Sequence, residues 1–207
     1  MTDDAAAATV YVVDDDVSIR ESLESLIRLE GWRPELFASS RAFLARPPAR
    51  SARCLILDVS LPDLNGLELQ RSIAGEQPFM PIIFITGHGD IPMTVEAMRA
   101  GAIEFLTKPF DNGVLLAAVR RAIDLSRKAL LEDAGLRSLR ERYASLTKRE
   151  QRVMELIVAG RLNKQAAIDL GISEITVKAH RGKLMRKMEA ASLAELVKMD
   201  ARLRPPG

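Results

Sequence analysis

The sequence predicts an α/β fold: a five-stranded, doubly wound parallel sheet, then a helical linker and an all-α, four-helix C-terminal unit. Three observations predict it. Over the first 125 residues, short β-rich runs alternate five times with helical patterns. Those runs are apolar throughout rather than every second residue, as in strands covered on both faces. Beyond residue 146 the strand-like runs give way to helix caps and tight glycine turns.

The strands are expected at TVYVV (9–13), PELF (34–37), CLILD (54–58), PIIFIT (81–86) and IEFL (103–106). Helical patterns fall between them at 17–30, 39–46, 66–74 and 91–100, with another starting near 112. Along the last of these, Leu125, Ala129, Glu132, Leu136, Leu139, Tyr143 and Leu146 repeat at alternating spacings of four and three, the seam of a coiled coil. Ala129 and Glu132 weaken that seam, and Gly135 is a candidate break, so a single solvated linker helix is the alternative. TKRE (147–150) forms a capping box that opens a helix to about residue 159, closed by Gly160. A second helix covers 163–170 and stops at Gly171; a third is capped by Ser173 and runs to about Met188; a fourth covers 192–203. Tight turns between short helices make NKQAAIDLGISEITVKAHRGKLMRKM a helix-turn-helix candidate.

Composition narrows the classes. Aromatic residues are 4% of the chain, so the cores must be aliphatic. The single cysteine, Cys54, excludes an internal disulfide and a cysteine-based zinc site; in CLILD it reads as a small buried hydrophobe. No apolar run approaches the ~20 residues of a membrane span, and the N-terminus has no basic targeting segment, so a soluble, cytoplasmic protein with no membrane partner is expected. Charge is divided: residues 1–125 carry 18 acidic against 12 basic side chains, whereas residues 147–188 carry 10 basic against 4 acidic. The later segment therefore points to a polyanion, foremost nucleic acid.

Polar groups gather just past the expected strands. Asp14, Asp15 and Asp16 follow the first strand, Asp58 and then Ser60 the third, Thr86 the fourth and Lys108 the fifth. In a parallel sheet these positions share one edge, where such folds bind ligands. Two unit charges ~4 Å apart cost about 4 kcal/mol near a protein surface. A nest of Asp14, Asp15 and Asp58 therefore calls for a divalent cation, and oxygen-only donors suit Mg²⁺. Asp16 lies where the first helix begins and is expected to cap it. A carboxylate can accept a phosphoryl group when a metal, a cation and a hydroxyl assist; Lys108 and Thr86 supply the last two.

The set VVDDD, LILDVSLPDLNG, FITGHGD and FLTKPF, spaced over residues 8–125, resembles the receiver domain of two-component response regulators. The resemblance implies that Asp58 is the phospho-acceptor and that Asp14 and Asp15 organise Mg²⁺, with Asp15 as the direct ligand. It also implies that Ser60 lends its backbone carbonyl to the metal. Lys108 would pair with the phosphoryl oxygens and precede a cis Pro109, and Thr86 and Phe105 would form the switch. His88, in TGHGD, reads as a loop residue.

In the third C-terminal helix, a spacing of 100° per residue puts Val177, Leu184 and Met188 on one side. Ile175, Lys178, Ala179, Gly182, Lys183 and Arg186 fall toward the other, small residues flanked by cations, a surface suited to the major groove. LTKREQRVMELIVAG and the segment 163–188 resemble the LuxR-type helix-turn-helix, so the chain as a whole is similar to regulators of the FixJ–NarL type. That likeness puts Lys178 and Ala179 against bases, with Gly182 where some relatives carry a base-contacting cation. Lys164, Gln165 and Thr176 become candidates for phosphate contacts. The last helix, with Leu193, Leu196 and Val197, is the expected dimer surface.

The resulting organisation is a receiver domain over 1–125, a helical linker over 126–143 and a DNA-binding domain over 144–207. The expected function is a transcriptional regulator, not an enzyme apart from taking phosphate from a donor and slowly losing it. Its expected partners are a sensor histidine kinase, double-stranded promoter DNA, RNA polymerase and a second copy of the chain. Two other readings stand beside it. One is a DNA-binding regulator whose receiver is a passive dimerisation module. The other is a Mg²⁺-dependent phosphohydrolase with an aspartate nucleophile, which would want a second acid where Ser60 stands.

Overall fold

The computed structural model describes residues 7–47, 51–75, 79–87 and 89–204. His88 lies outside the described residues. The chain divides into two compact units, Met1–Leu130 and Leu131–Gly207.

In the first unit the strands are β1 (Thr9–Val13), β2 (Arg33–Phe37), β3 (Arg53–Asp58), β4 (Ile82–Thr86) and β5 (Glu104–Thr107), within a residue of the sequence expectation at every end. All pairings are parallel and the order is β2-β1-β3-β4-β5. The order reverses between β1 and β3, so the switch point falls between the strands that end in Asp14 and Asp58. The side chains divide with a period of two. Tyr11, Val13, Leu55, Leu57 and Phe84 face one core, joined by Phe43, Leu69 and Ile73. Val10, Val12, Cys54, Ile56, Ile83 and Ile85 face the other, joined by Leu23, Ile27, Leu115, Val119 and Ile123. Burial pushes the Cys54 thiol pKa up, in keeping with an inert packing residue.

The crossing helices are α1 (Val17–Leu29), α2 (Ser40–Leu44), α3 (Gly66–Ile73) and α4 (Ile91–Arg99). Asp16 caps α1 as expected, its carboxylate accepting from the Ser18 N–H at 2.8 Å. The helix α5 (Asn112–Ala144) then runs for 33 residues. It passes straight through Gly135, the candidate break. A glycine inside a helix costs about 1 kcal/mol, too little to end a helix of this length. Of the coiled-coil seam, Leu125 is 45% exposed, whereas Leu139 and Leu146 are buried in the core of their own unit and Tyr143 packs against that core. That half of the seam is therefore not free for a second chain. The segment 126–143, expected as a linker, is helical and packed at both ends. The buried Ser126 hydroxyl accepts from the Arg53 N–H at 3.1 Å and donates to the Phe79 carbonyl at 2.6 Å.

The second unit is completed by α6 (Lys148–Val158), α7 (Asn163–Leu170), α8 (Glu174–Met188) and α9 (Leu193–Leu203). The capping box is formed: Thr147 caps α6 through the Glu150 N–H, and Glu150 reaches back to the Thr147 N–H at 2.9 Å. Gly171, at φ +63°, ends α7 in the left-handed conformation that glycine adopts without strain. Val153, Met154, Ile157, Ala166, Val177, Leu184, Met188 and Leu196 form the core.

Candidate functional site

Two pairs of aligned strand ends assemble the acidic pocket. Val13 lies beside Leu57 and Thr86 beside Thr107, so Asp14, Asp58, Thr86 and Lys108 leave the sheet along one edge. The Lys108 ammonium donates to Asp14 Oδ2 at 2.6 Å and to Asp58 Oδ2 at 2.9 Å. Asp14 Oδ1 accepts from the Asp16 N–H at 2.8 Å, and Asp58 Oδ1 from the Ser60 N–H at 3.1 Å. Carboxylate oxygens of Asp14, Asp15 and Asp58 lie within 4.8 Å of one another; the first and last residues are buried and Asp15 is exposed. Three hard oxygen donors around one point, one of them open to solvent, fit a Mg²⁺ that keeps part of its water shell. Burial drives the Asp14 pKa above its ordinary value, although Lys108 and the Asp16 N–H pull against it. For Lys108, burial alone would lower the ammonium pKa; the hydrogen bonds and charges of Asp14 and Asp58 outweigh it and raise it.

The backbone fixes these groups. The Lys108 N–H donates to the Thr86 carbonyl at 2.7 Å, and the Lys108–Pro109 bond is cis. Thr86 is fully buried at the end of β4. Phe105 is half-buried and packs on Phe84, ring centroids 6.1 Å apart. Ser60 is exposed two residues beyond Asp58.

Three participants escaped the sequence reading. Arg20, on α1, donates to the Asp14 carbonyl at 2.6 Å. At Gly66 a Cβ would stand 2.5 Å from the Asp58 carbonyl oxygen and 3.0 Å from Val59 Cα. At Gly89 a Cβ would lie 3.0 Å from Phe105 Cε1 and Thr107 Cγ2 and 3.2 Å from Thr86 Cγ2, so any larger residue would press these side chains aside by a few tenths of an ångström. Spacing along the chain gives no sign of such close approaches. The one sequence signal was glycine itself, beside DLNG and TGHGD.

In the helical unit, Val177, Leu184 and Met188 are fully buried, and Lys178, Ala179, Gly182, Lys183 and Arg186 are exposed, as the helical projection required. Two further cations of α8 are engaged within the unit. Lys187 is committed inward, donating to Glu150 Oε2 at 2.7 Å and to the Ser145 carbonyl at 3.0 Å. Arg181 donates to Asn163 Oδ1 at 3.1 Å. Lys178 pairs with Glu174 at 3.0 Å, an exposed contact worth under about 0.5 kcal/mol and readily given up to a phosphate or a base. Lys164 and Thr176 are exposed, Thr176 sharing a hydrogen bond with the Ser173 hydroxyl at 2.8 Å. Gln165 is also exposed; its side-chain oxygen accepts from the Leu162 N–H at 2.9 Å, and its amide NH₂ is the donor it can offer an outside ligand. On α9, Leu193 and Val197 are each 39% exposed, but Leu196 is fully buried in the unit's own core and offers nothing to a dimer surface.

A parallel sheet with an acidic, lysine-bridged edge, in one chain with a four-helix basic unit, defines the class. Residues 10–120 match the model of the response regulator receiver domain, and residues 144–200 that of the bacterial regulatory proteins of the LuxR family. The chain belongs to the response regulators with a LuxR-type DNA-binding domain. It is 46% identical over 200 residues to the response regulator protein TodT of Pseudomonas putida F1, covering 96% of this chain and 87% of TodT. It is 42% identical over 193 residues to the transcriptional regulatory protein FixJ of Rhizobium meliloti 1021, covering 92% and 94%. Among solved structures, the response regulator StyR matches with a TM-score of 0.86 and 44% identity, over 95% of this chain and all of StyR. Among the described residues no helix is long and apolar enough to cross a membrane.

Proposed function

We propose that this transcriptional response regulator is switched by phosphorylation of Asp58, received from a sensor histidine kinase, and that it then binds promoter DNA as a dimer. The observation that carries the reading is the Lys108 ammonium bridging Asp14 and Asp58 within a nest of three carboxylates. In the proposed step an Asp58 carboxylate oxygen attacks phosphorus and the bond to the donor's nitrogen or oxygen breaks. Lys108 passes from carboxylate to phosphoryl oxygen, and Thr86 turns its hydroxyl to the same group. Asp14, Asp15, Asp58 and the Ser60 carbonyl would hold Mg²⁺, which supplies neutralisation of phosphoryl charge. The ordered Ser60 N–H, already on Asp58 Oδ1, keeps the acceptor oriented. Movement of Thr86 then draws Phe105 inward and alters the face of α4, β5 and α5.

The proposed division of labour is a receiver over 1–125, a linker over 126–143 and a DNA-binding domain over 144–207, in the cytoplasm, with RNA polymerase as the downstream partner. Lys178 and Ala179 would meet bases, with Gly182 bringing the helix close; Lys164, Gln165, Thr176, Lys183 and Arg186 would hold phosphates. Incubation with acetyl phosphate and Mg²⁺ should add one phosphoryl mass that is labile to hydrolysis and absent from Asp58→Asn. Phosphate that withstands acid, or a gain that survives the substitution, contradicts the assignment.

A further inference from the structure

Ile175 is a large apolar side chain that is 79% exposed, whereas the other large apolar residues on α8 are buried or, at Met185, half-buried. At 100° per residue it lies about 20° from Gly182 and about 20° from Arg186 around the α8 axis, between Lys178 on one side and Ala179 on the other. It thus occupies the centre line of the face opposite Val177, Leu184 and Met188, in the first helical turn after the Ser173 cap. That turn is pinned: Ser173 Oγ accepts from the Thr176 N–H at 3.1 Å. The β-branched side chain is itself stiff at χ1. Its i+3 and i+4 neighbours on the helix are Lys178 and Ala179, and at Gly182 a Cβ would meet nothing within 4 Å.

As the one exposed large hydrophobe on α8, Ile175 offers that helix face too little apolar area for a stable protein interface. It does match the single apolar group that the major groove displays, the 5-methyl of thymine, and the N-terminal residues of such helices are the ones that reach base edges. We propose that Ile175 is a specificity residue that reads one thymine methyl in each half-site. The proposal rests on α8 entering the major groove, as set out above.

The test uses the full chain with acetyl phosphate and Mg²⁺. Bound duplexes are selected from a random pool to define the site, and each thymine of that site is then replaced by uracil, which removes only the methyl. At one thymine per half-site the wild type should lose about fourfold in affinity, the worth of one buried methyl. Ile175→Ala should bind the thymine duplex correspondingly more weakly and show no further loss on uracil. Because the side chain is exposed, the variant folds as the wild type does, which circular dichroism checks. If uracil is tolerated at every thymine, or if the Ile175→Ala variant still discriminates, the assignment of Ile175 is overturned while groove binding stands. If the pool yields no selected sequence, groove reading itself fails and the proposal falls with it. If Ile175→Ala abolishes self-association in the absence of DNA, the residue belongs to a protein interface.

Discussion

The Lys187 ammonium on α8 donates to Glu150 Oε2 on α6 at 2.7 Å, and the Glu150 side chain is only 3% exposed. The Lys187 bond, with the Thr147 contacts, holds this carboxyl below the ordinary glutamate value against the opposing effect of burial. A carboxyl with a depressed folded pKa stabilises the fold above its unfolded value and loses that contribution as pH falls through the folded one. Glu150→Gln should therefore cost about 1–2 kcal/mol at neutral pH. The gap from wild type should close below about pH 4. Urea unfolding across that pH range reads it, and a gap that persists in acid would assign the cost to packing instead.

Asp14 has the opposite sign. Its carboxyl is raised by burial, so its contribution is fully present below the unfolded value and is lost as pH climbs through the folded one. Asp14→Asn keeps an acceptor for the Asp16 N–H and removes the buried charge. In EDTA at neutral pH the variant should melt above the wild type, with no difference below about pH 3.5. Added Mg²⁺ should raise the wild type and leave the variant unchanged.

Removing Lys108 strands two buried carboxylates. Lys108→Ala should destabilise the receiver by about 3 kcal/mol without metal, as breaking a buried ion pair does. Mg²⁺ should recover more stability in this variant than in the wild type, because it then replaces the lost counter-charge. Equal metal responses in differential scanning calorimetry would count against a shared site.

Gly66→Ala drives a methyl into the Asp58 carbonyl and Val59 Cα, backbone atoms that cannot rotate aside. A loss of about 1–3 kcal/mol follows from such overpacking, with slower phosphorylation as the turn that carries Asp58 shifts. Thermal melts and acetyl phosphate kinetics measure the two effects separately.

Gly182→Ala meets open space and should stabilise α8 by up to about 1 kcal/mol. If the helix backbone sits against DNA, the same variant binds duplex more weakly despite its higher melting point. Lys178→Ala should weaken specific binding more than non-specific binding; an equal loss on all sequences would make Lys178 a phosphate contact.

Much of this was legible in the chain because it is local. The run TVYVV and the cap Asp16 declared β1 and the start of α1, and TKRE declared the start of α6, since apolar period and capping chemistry act within a few residues. Strand order was not legible, because only packing tells which parallel strands are neighbours. The same holds for Leu196, whose helical position suits either a core or a surface, and for Gly135, whose cost of about 1 kcal/mol is too small to decide alone where a helix ends. Lys187 differs from the exposed Lys183 and Arg186 only through Glu150, which lies beneath it in space and far from it in sequence. Gly66 and Gly89 matter for the space they leave free, which no spacing rule detects.

The bridge from Lys108 reaches back 94 residues to Asp14 and 50 to Asp58. During synthesis the two acids therefore emerge from the ribosome well ahead of their counterion. Until β5 docks, the two acids at the ends of β1 and β3 stand together without the ammonium that bridges them in the folded sheet. The last strand of the sheet thus brings the charge that the loops after the first and third strands lack.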